Sequence, residues 1–173
     1  GMTSPLAQTY LWGTGLESGE AQLTWTDTVD AAPYPTGGST NIGPIKSGVS
    51  GPELDVRSEN SQSGSDEIMY SGAALGGASD YACMEAFDMS SQNLTITPGM
   101  HFSYWIFPQS QTNYSYVSGS NSLFVALDLV FTDGTNLRDS GLTDQHGVGI
   151  NPTNQSGILM LDTWNYVTVD LTP

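Results

Sequence analysis

Short runs of alternating apolar and polar residues, separated by turn-forming residues, make up most of the 173-residue chain. A period of two is typical of β-strands, and no segment has the longer period and the caps of a sustained helix. Strands are predicted at 21–29, 54–58, 66–72, 81–89, 94–96, 101–108, 122–134, 157–161 and 165–171. This pattern predicts an all-β protein of about nine strands, folded as a two-layer sandwich of the jelly-roll type.

Two of these segments stand out. HFSYWIFP (101–108) is apolar on both faces, as expected of a central strand, and SLFVALDLVFTDG (122–134) is the strongest strand signal. Asp128 interrupts the apolar face of the second segment, where a carboxylate is costly unless it is paired. It is open whether Asp128 contacts a ligand, pairs with Arg138 or lies on a solvated face, and pairing with Arg138 is favoured.

The three tryptophans in or next to strands are expected in the core, as is the single cysteine. These residues are Trp25, Trp105, Trp164 and Cys83. Residues 31–52, rich in Pro, Gly and Ser, predict a long surface connection. Residues 1–14 form a lead-in whose Gly1-Met2 is typical of a cleaved purification tag, and residues 15–173 are predicted to form a single domain.

The charge of the chain is strongly negative. Eighteen acidic residues face only three basic ones, giving a formal net charge of -15, although charged residues make up only 12% of the chain. Such a field repels phosphate backbones and anionic membrane surfaces, so nucleic-acid binding is not expected. No apolar run is long enough to cross a bilayer. The composition suits an extracellular protein that meets cations or neutral polar ligands.

The loop TDGTNLRDSGLTDQHG (132–147) concentrates candidate chemistry. Asp133 is explained by turn formation, because an aspartate accepts from the backbone N–H two residues on. Sugar hydroxyls are best matched by planar bidentate groups and by directional ring nitrogens. The candidate carbohydrate-binding residues in the loop are therefore Arg138, Asp139, Asp144, Gln145 and His146. An internal Arg138–aspartate network that fixes the loop, metal binding and docking are the alternatives.

Tyr114 and Tyr116 lie in the polar stretch QSQTNYSYVSGSN (109–121) and have no evident core role. Exposed aromatic faces stack on the C–H faces of pyranose rings, which makes both residues candidates for a sugar platform. The alternative is a loop that merely tolerates them.

Signals of catalysis are weak. His101 and His146 belong to no pattern with zinc spacing, and neither a glycine-rich phosphate loop nor a serine nucleophile elbow is present. Eighteen acids offer many carboxylate pairs, so that feature selects nothing. The sequence favours a protein that is not an enzyme.

Several segments together resemble a known module. They are GLESGEAQLTWTDTVD (15–30), SYWIFPQ (103–109), FVALDLVFTDGTNLRDSGLTDQHGVGINP (124–152) and LDTWNYVTVDL (161–171). They resemble the β-sandwich module found towards the N-terminus of secreted bacterial α-mannosidases of glycoside hydrolase family 92. The family has Phe where this chain has Leu16, and a further strand where this chain reaches Pro173, so a final strand is expected to be missing.

The resemblance implies a galactose-binding-like jelly roll that is secreted or cell-surface and bacterial. It implies a non-catalytic carbohydrate-binding module that targets a neutral glycan, with a mannose-containing glycan as the candidate and the neighbouring catalytic domain as a partner. A structural domain that docks on that catalytic region without binding sugar is the alternative. The opening LESG (16–19) resembles one in which a glutamate helps to hold a structural calcium ion. Glu17 is then a candidate calcium ligand, with Asp170 or Asp162 as its distant partner, and an ordinary exposed glutamate before a turn is equally expected.

Overall fold

A computed structural model describes residues 10–21, 26–27, 53–57, 62–64, 67–71, 84–85, 89–108 and 125–173. The chain divides into two compact units, residues 1–89 and 90–173. The fold is β-rich: the described residues contain six short strands and one single-turn α-helix. No helix in the described ranges is long and apolar enough to cross a membrane. The predicted single domain over 15–173 stays a prediction.

The described residues of the first unit form two antiparallel strand pairs. Strand β1 (Thr26–Asp27) pairs with β4 (Met84–Glu85), and β2 (Glu53–Arg57) pairs with β3 (Glu67–Ser71). The β2–β3 register runs from Glu53 opposite Ser71 to Arg57 opposite Glu67. This pairing confirms the two strands predicted on either side of the segment ENSQSGS.

The second unit is built around one antiparallel ribbon. After a 3-10 turn at Ser90–Gln92, β5 (His101–Ile106) pairs along its whole length with β6 (Asn165–Asp170). These two strands were predicted. The remaining helix, α1 (Pro152–Gln155), is a single turn and is too short to leave a helical period in the sequence.

The alternation of β5 and β6 places one face of the ribbon against a small core. The buried residues of that core are Tyr104, Ile106, Leu137, Ile150, Val167 and Val169. Leu137 and Val169 are completely inaccessible to solvent. Full burial of a side chain of this size contributes about 1.5–3 kcal/mol, so these few residues hold the 125–150 segment against the ribbon.

Three predicted strands are wrong. Within 122–134, the described residues contain no strand, only a bridge between Val130 and Asn136. The Phe131 amide donates to Thr135 O at 2.8 Å, so the chain turns back at Asp133-Gly134. The turn follows so closely that the pairing of Val130 with Asn136 does not extend into a strand. Val130 is 77% exposed.

The predicted strands at 94–96 and 157–161 are also absent. The apolar side chains of the first, Leu94 and Ile96, are 41% and 40% exposed. In the second, the amides of Ile158 and Leu159 both donate to Gln155 O, at 3.0 and 2.9 Å. Those backbone groups close the end of α1 and so do not join a sheet.

Candidate functional site

The outward face of the β5–β6 ribbon carries three facing pairs of side chains, which we call the outer ladder. Leu171 N donates to Met100 O at 2.9 Å, next to the ribbon. This bond places the outward residues at the non-hydrogen-bonded positions of the ribbon, where facing side chains approach each other most closely. The three pairs are His101 with Asp170, Ser103 with Thr168, and Trp105 with Tyr166.

One end of the outer ladder is aromatic. The rings of Trp105 and Tyr166 lie 5.2 Å apart at an interplanar angle of 50°, and the residues are 47% and 39% exposed. The expectation that Trp105 belongs to the core is therefore wrong. Strict alternation places Trp105 on the opposite face from the buried Tyr104 and Ile106. Because the segment is apolar on both faces, its sequence does not show which face is buried. Trp164 is half-buried and packs edge-on against Phe107, with ring centroids 5.4 Å apart.

The rest of the outer ladder is polar. The hydroxyls of Ser103 and Thr168 share a hydrogen bond of 2.7 Å. His101 Nδ1 lies 3.0 Å from Gly99 O, and because a carbonyl only accepts, this nitrogen carries the proton. The other ring nitrogen, Nε2, is then an acceptor in the neutral ring. Asp170 uses Oδ1 to accept from Thr172 N at 2.9 Å.

An open cleft of about 240 Å³ adjoins this polar end. Its lining residues are His101, Leu142, Thr143, Asp144, Gln145, Thr168, Asp170 and Pro173. The cleft thus brings Asp144 and Gln145 of the predicted sugar loop together with Asp170, which sequence analysis assigned to a metal. Two carboxylates and no Lys or Arg occur among these lining residues, so the cleft is acidic.

Asp144 is a buried structural anchor. Its carboxylate is 6% exposed and accepts three hydrogen bonds, from His146 N (2.8 Å), Val148 N (3.0 Å) and Gln155 Nε2 (3.0 Å). Asp144 N also donates to Val148 O at 2.9 Å. The two amides bond to Oδ1 and the Gln155 side chain bonds to Oδ2, so each carboxylate oxygen has a partner within the fold. Asp144 therefore stabilises the loop that lines the cleft, through hydrogen bonds inside the fold.

Gln145 pairs with the free edge of β6. Its Nε2 donates to Tyr166 O at 2.7 Å, and its Oε1 accepts from Thr168 N at 3.0 Å. These two backbone groups point away from β5, so the side-chain amide takes the place of a neighbouring strand. The interaction fixes the loop beside the outer ladder.

The other residues of the sequence-predicted loop site lie outside the cleft lining. Arg138 forms an exposed ion pair with Asp139, at 3.4 Å. Asp128 is exposed, which corrects the expected position on an apolar face. Its Oδ1 accepts from the backbone N–H of Arg138 at 2.9 Å, so its partner is the main chain and not the guanidinium. His146 is exposed, and its hydrogen bond to Asp144 uses its backbone N–H, not its ring.

Asp133 is a turn residue, as expected from its Asp-Gly sequence. Its Oδ1 accepts from Thr135 Oγ1 at 2.6 Å and from Thr135 N at 2.9 Å. The hydroxyl bond first, and the amide bond second, lower the pKa of the Asp133 carboxyl.

Two buried side-chain polar atoms have no hydrogen-bond partner among the described residues: Tyr104 Oη and Gln155 Oε1. Burial raises the pKa of Tyr104 to about 12. The backbone amide of Leu127 opposes that shift, although it does not reach hydrogen-bond geometry, and the charges of Asp144 and Asp128 add to it. The core below the outer ladder is thus partly polar.

The predicted calcium ligands lie in different units of the chain, Glu17 in the first and Asp170 in the second. Glu17 opens a tight turn in which Glu20 N donates to Glu17 O at 2.9 Å, and Gly19 has φ 89°. No group of three or more His, Cys, Asp or Glu side chains that could hold a metal occurs in the described part of the chain. The calcium site stays a prediction. Tyr114 and Tyr116 lie outside the described residues.

No protein-family model matches the chain, and no curated protein matches it either. The site is therefore defined by its own geometry. Sequence analysis missed the outer ladder as a unit: Ser103, Thr168 and Tyr166 were not singled out, and Trp105 was placed inside. Both segments, 101–106 and 165–170, alternate polar or aromatic residues with apolar ones, and this alternation is the sequence signal for the outer ladder. Which residues face each other follows only from the register of the two strands.

Proposed function

We propose that this chain is a non-catalytic carbohydrate-binding module of a secreted, α-mannosidase-like glycosidase, with a galactose-binding-like jelly-roll sandwich as its fold. The observation that carries the proposal is the outer ladder, in which an exposed aromatic pair continues into hydroxyl, imidazole and carboxylate groups beside an open cleft. The resemblance to modules beside family 92 mannosidases points to the same class of ligand.

The chemistry of the outer ladder suits a sugar. Trp105 and Tyr166 offer apolar ring faces for the C–H face of a pyranose, and their tilt makes a shallow platform. Ser103, Thr168 and Asp170 follow along the same face and offer polar groups to the hydroxyls of a glycan. An apolar ligand would leave these polar groups without partners.

Charge restricts the ligand to neutral glycans. The lining of the cleft holds Asp144 and Asp170, and the whole chain has a formal net charge of -15. A uronic acid or a phosphate would meet carboxylates with no opposing cation in that lining. A few hydroxyl contacts must offset the displacement of water, so single-site affinity is expected to be weak. Tethering to an enzyme would raise the effective concentration at a polymeric substrate.

A second function is favoured by a separate observation. Met160 and Val130 of the second unit are 63% and 77% exposed. A protein interface would need such side chains to belong to one contiguous apolar patch. The alternative is a structural module that docks on the neighbouring catalytic region without binding sugar.

A glycan array of the purified protein tests the proposal, with calcium and with a chelator. The informative variants are Trp105→Ala and Tyr166→Ala, which remove the platform. Tyr10→Ala removes an aromatic side chain that is 68% exposed but lies outside the outer ladder, and it serves as the matched control. Binding that is lost in the first two variants but kept in the control supports the proposal. Absence of binding to every glycan by a folded protein favours docking.

A further inference from the structure

We infer that the ligand is a linear oligosaccharide that lies along β5–β6, with one sugar ring on the Trp105–Tyr166 pair and a later unit at the His101–Asp170 pair. The inference rests on the proposed function and names the form of glycan that the same site takes. It distinguishes a surface for the interior of a chain from a pocket for a single terminal sugar.

The outer ladder is longer than a single sugar ring. Strand residues rise about 3.3 Å each, so the four steps from His101 to Trp105 span about 13 Å. That distance exceeds one pyranose ring. A monosaccharide on the aromatic pair therefore cannot reach the His101–Asp170 pair, whereas a chain of several units can contact both.

The polar end of the outer ladder has hydrogen-bonding atoms that the fold does not use. His101 Nδ1 is occupied by Gly99 O, which leaves Nε2 as an acceptor. Asp170 Oδ1 is occupied by Thr172 N, and Oδ2 makes no hydrogen bond with the described part of the chain. In the neutral form of His101 both atoms are acceptors, and their residues face each other across the ribbon, so a ligand must bring donors to them. The hydroxyls of a sugar unit supply O–H donors.

The polar end of the outer ladder is held in place by hydrogen bonds from the backbone. Gly99 N donates to Thr172 Oγ1 at 2.8 Å, and Leu171 N donates to Met100 O at 2.9 Å. The loop before β5 and the residues after β6 are thereby fastened across the His101–Asp170 pair. Both acceptors are held before a ligand arrives, which reduces the entropy lost on binding.

Chain-length dependence tests the inference. The affinities of linear manno-oligosaccharides, from mannose to mannohexaose, would be measured by isothermal titration calorimetry, with cello-oligosaccharides of the same lengths as a second series. We expect at least about a tenfold gain between the monosaccharide and the tri- or tetrasaccharide in one series, because hydrogen bonds to a charged acceptor contribute at this scale. Affinity that does not depend on length, or failure of both series to bind, overturns the inference.

Variants separate the two ends of the ladder. Asp170→Asn keeps Oδ1 for the Thr172 amide but replaces Oδ2 with a donor, so the fold is expected to persist. Asp170→Asn and His101→Ala should abolish the gain in affinity with chain length. Trp105→Ala should weaken binding at every length. A chain-length gain that survives in both polar-end variants overturns the inference. Glycan-array binding without length dependence leaves the proposed function standing, whereas an array with no binding removes both.

Discussion

Gln155 donates a hydrogen bond of 3.0 Å from its Nε2 to Asp144 Oδ2, and both side chains are buried. The same nitrogen donates to Gly149 O at 3.1 Å. Gln155 lies on a helix of a single turn, and Asp144 begins a tight turn that lines the cleft. This contact therefore couples the helix, the turn and the wall of the cleft inside the second unit.

Asp144→Ala is expected to destabilise the protein by about 2–4 kcal/mol, because it leaves two backbone amides and the buried Gln155 amide without their acceptor. Urea denaturation measures the loss. Asp139→Ala is the control: Asp139 is exposed and its ion pair with Arg138 is screened, so its removal should cost little. Equal costs for the two variants would contradict a structural role for Asp144. It also follows that lost glycan binding in an Asp144 variant does not by itself identify a ligand contact.

Gln145→Ala should expose the edge of β6. Thr168 N loses its acceptor, at 3.0 Å from Gln145 Oε1, while Val167 N still faces β5. Hydrogen exchange of the Thr168 amide should become at least several-fold faster, and that of Val167 should change little. The Val167 amide is an internal control measured in the same sample. Unchanged exchange at Thr168 would show that the side-chain amide does not protect this edge.

The sequence predicts the ribbon of the second unit well and its loops poorly. His101–Ile106 and Asn165–Asp170 alternate cleanly, so both strands could be placed before their pairing was known. The strand predicted at 122–134 was wrong because the prediction rested on strongly β-forming apolar residues. The turn at Asp133-Gly134 and the side chain of Asp128 determine the backbone hydrogen bonds of this segment. Local propensity does not reveal which amide a side chain will occupy.

The candidate site could be predicted only in part for a similar reason. Sequence analysis named Asp144 and Gln145, and both line the cleft, but their carboxylate and amide are used within the fold. The residues of the outer ladder that have free hydrogen-bonding capacity, His101 and Asp170, lie on the paired strands. Their proximity depends on the register of strands separated by more than fifty residues, which no local pattern contains.

Tyr104→Phe tests the partly polar core. Its hydroxyl is buried without a partner among the described residues, so its removal should be neutral or stabilising. Burial raises the pKa from 10.0 to about 12, which means that the folded state keeps its proton longer than the unfolded state. Below pH 10 both states keep the proton; as the pH rises towards 12 only the unfolded state loses it, so the folded state loses stability, on the order of 3 kcal/mol in total. Urea denaturation at several alkaline pH values should show a steeper loss in the wild type than in the variant. Identical slopes would contradict the assignment.

Thr135→Val tests the turn at Asp133. The threonine hydroxyl bond is the largest cause of the lowered pKa of Asp133, so the variant should move that pKa towards 3.8. Because the folded pKa lies below this value, the contribution to stability is present above it and fades as the pH falls through the folded pKa. A carboxyl titration followed by NMR measures the shift. Thr132→Val, at the residue before Asp133, serves as the control and should leave the Asp133 titration unchanged.

The last prediction concerns Glu17 and calcium. Gly64 has φ 67°, and a Cβ at this position would overlap the Glu17 carboxylate. Gly64→Ala should therefore displace that carboxylate in addition to the strain of a left-handed backbone, which costs about 1–2 kcal/mol. Gly134→Ala carries similar strain at φ 85° but meets open space, and it provides the matched control.

If Glu17 helps to hold a calcium ion, calcium raises the melting temperature of the wild type, because an ion that binds only the folded state stabilises it. Glu17→Ala should abolish that rise, Gly64→Ala should reduce it, and Gly134→Ala should keep it despite a lower starting temperature. Thermal melts with calcium and with a chelator measure all four proteins. A rise that persists in Glu17→Ala would place any calcium site elsewhere in the chain. No rise in the wild type would leave Glu17 as the first residue of a turn that Gly19 and Glu20 complete.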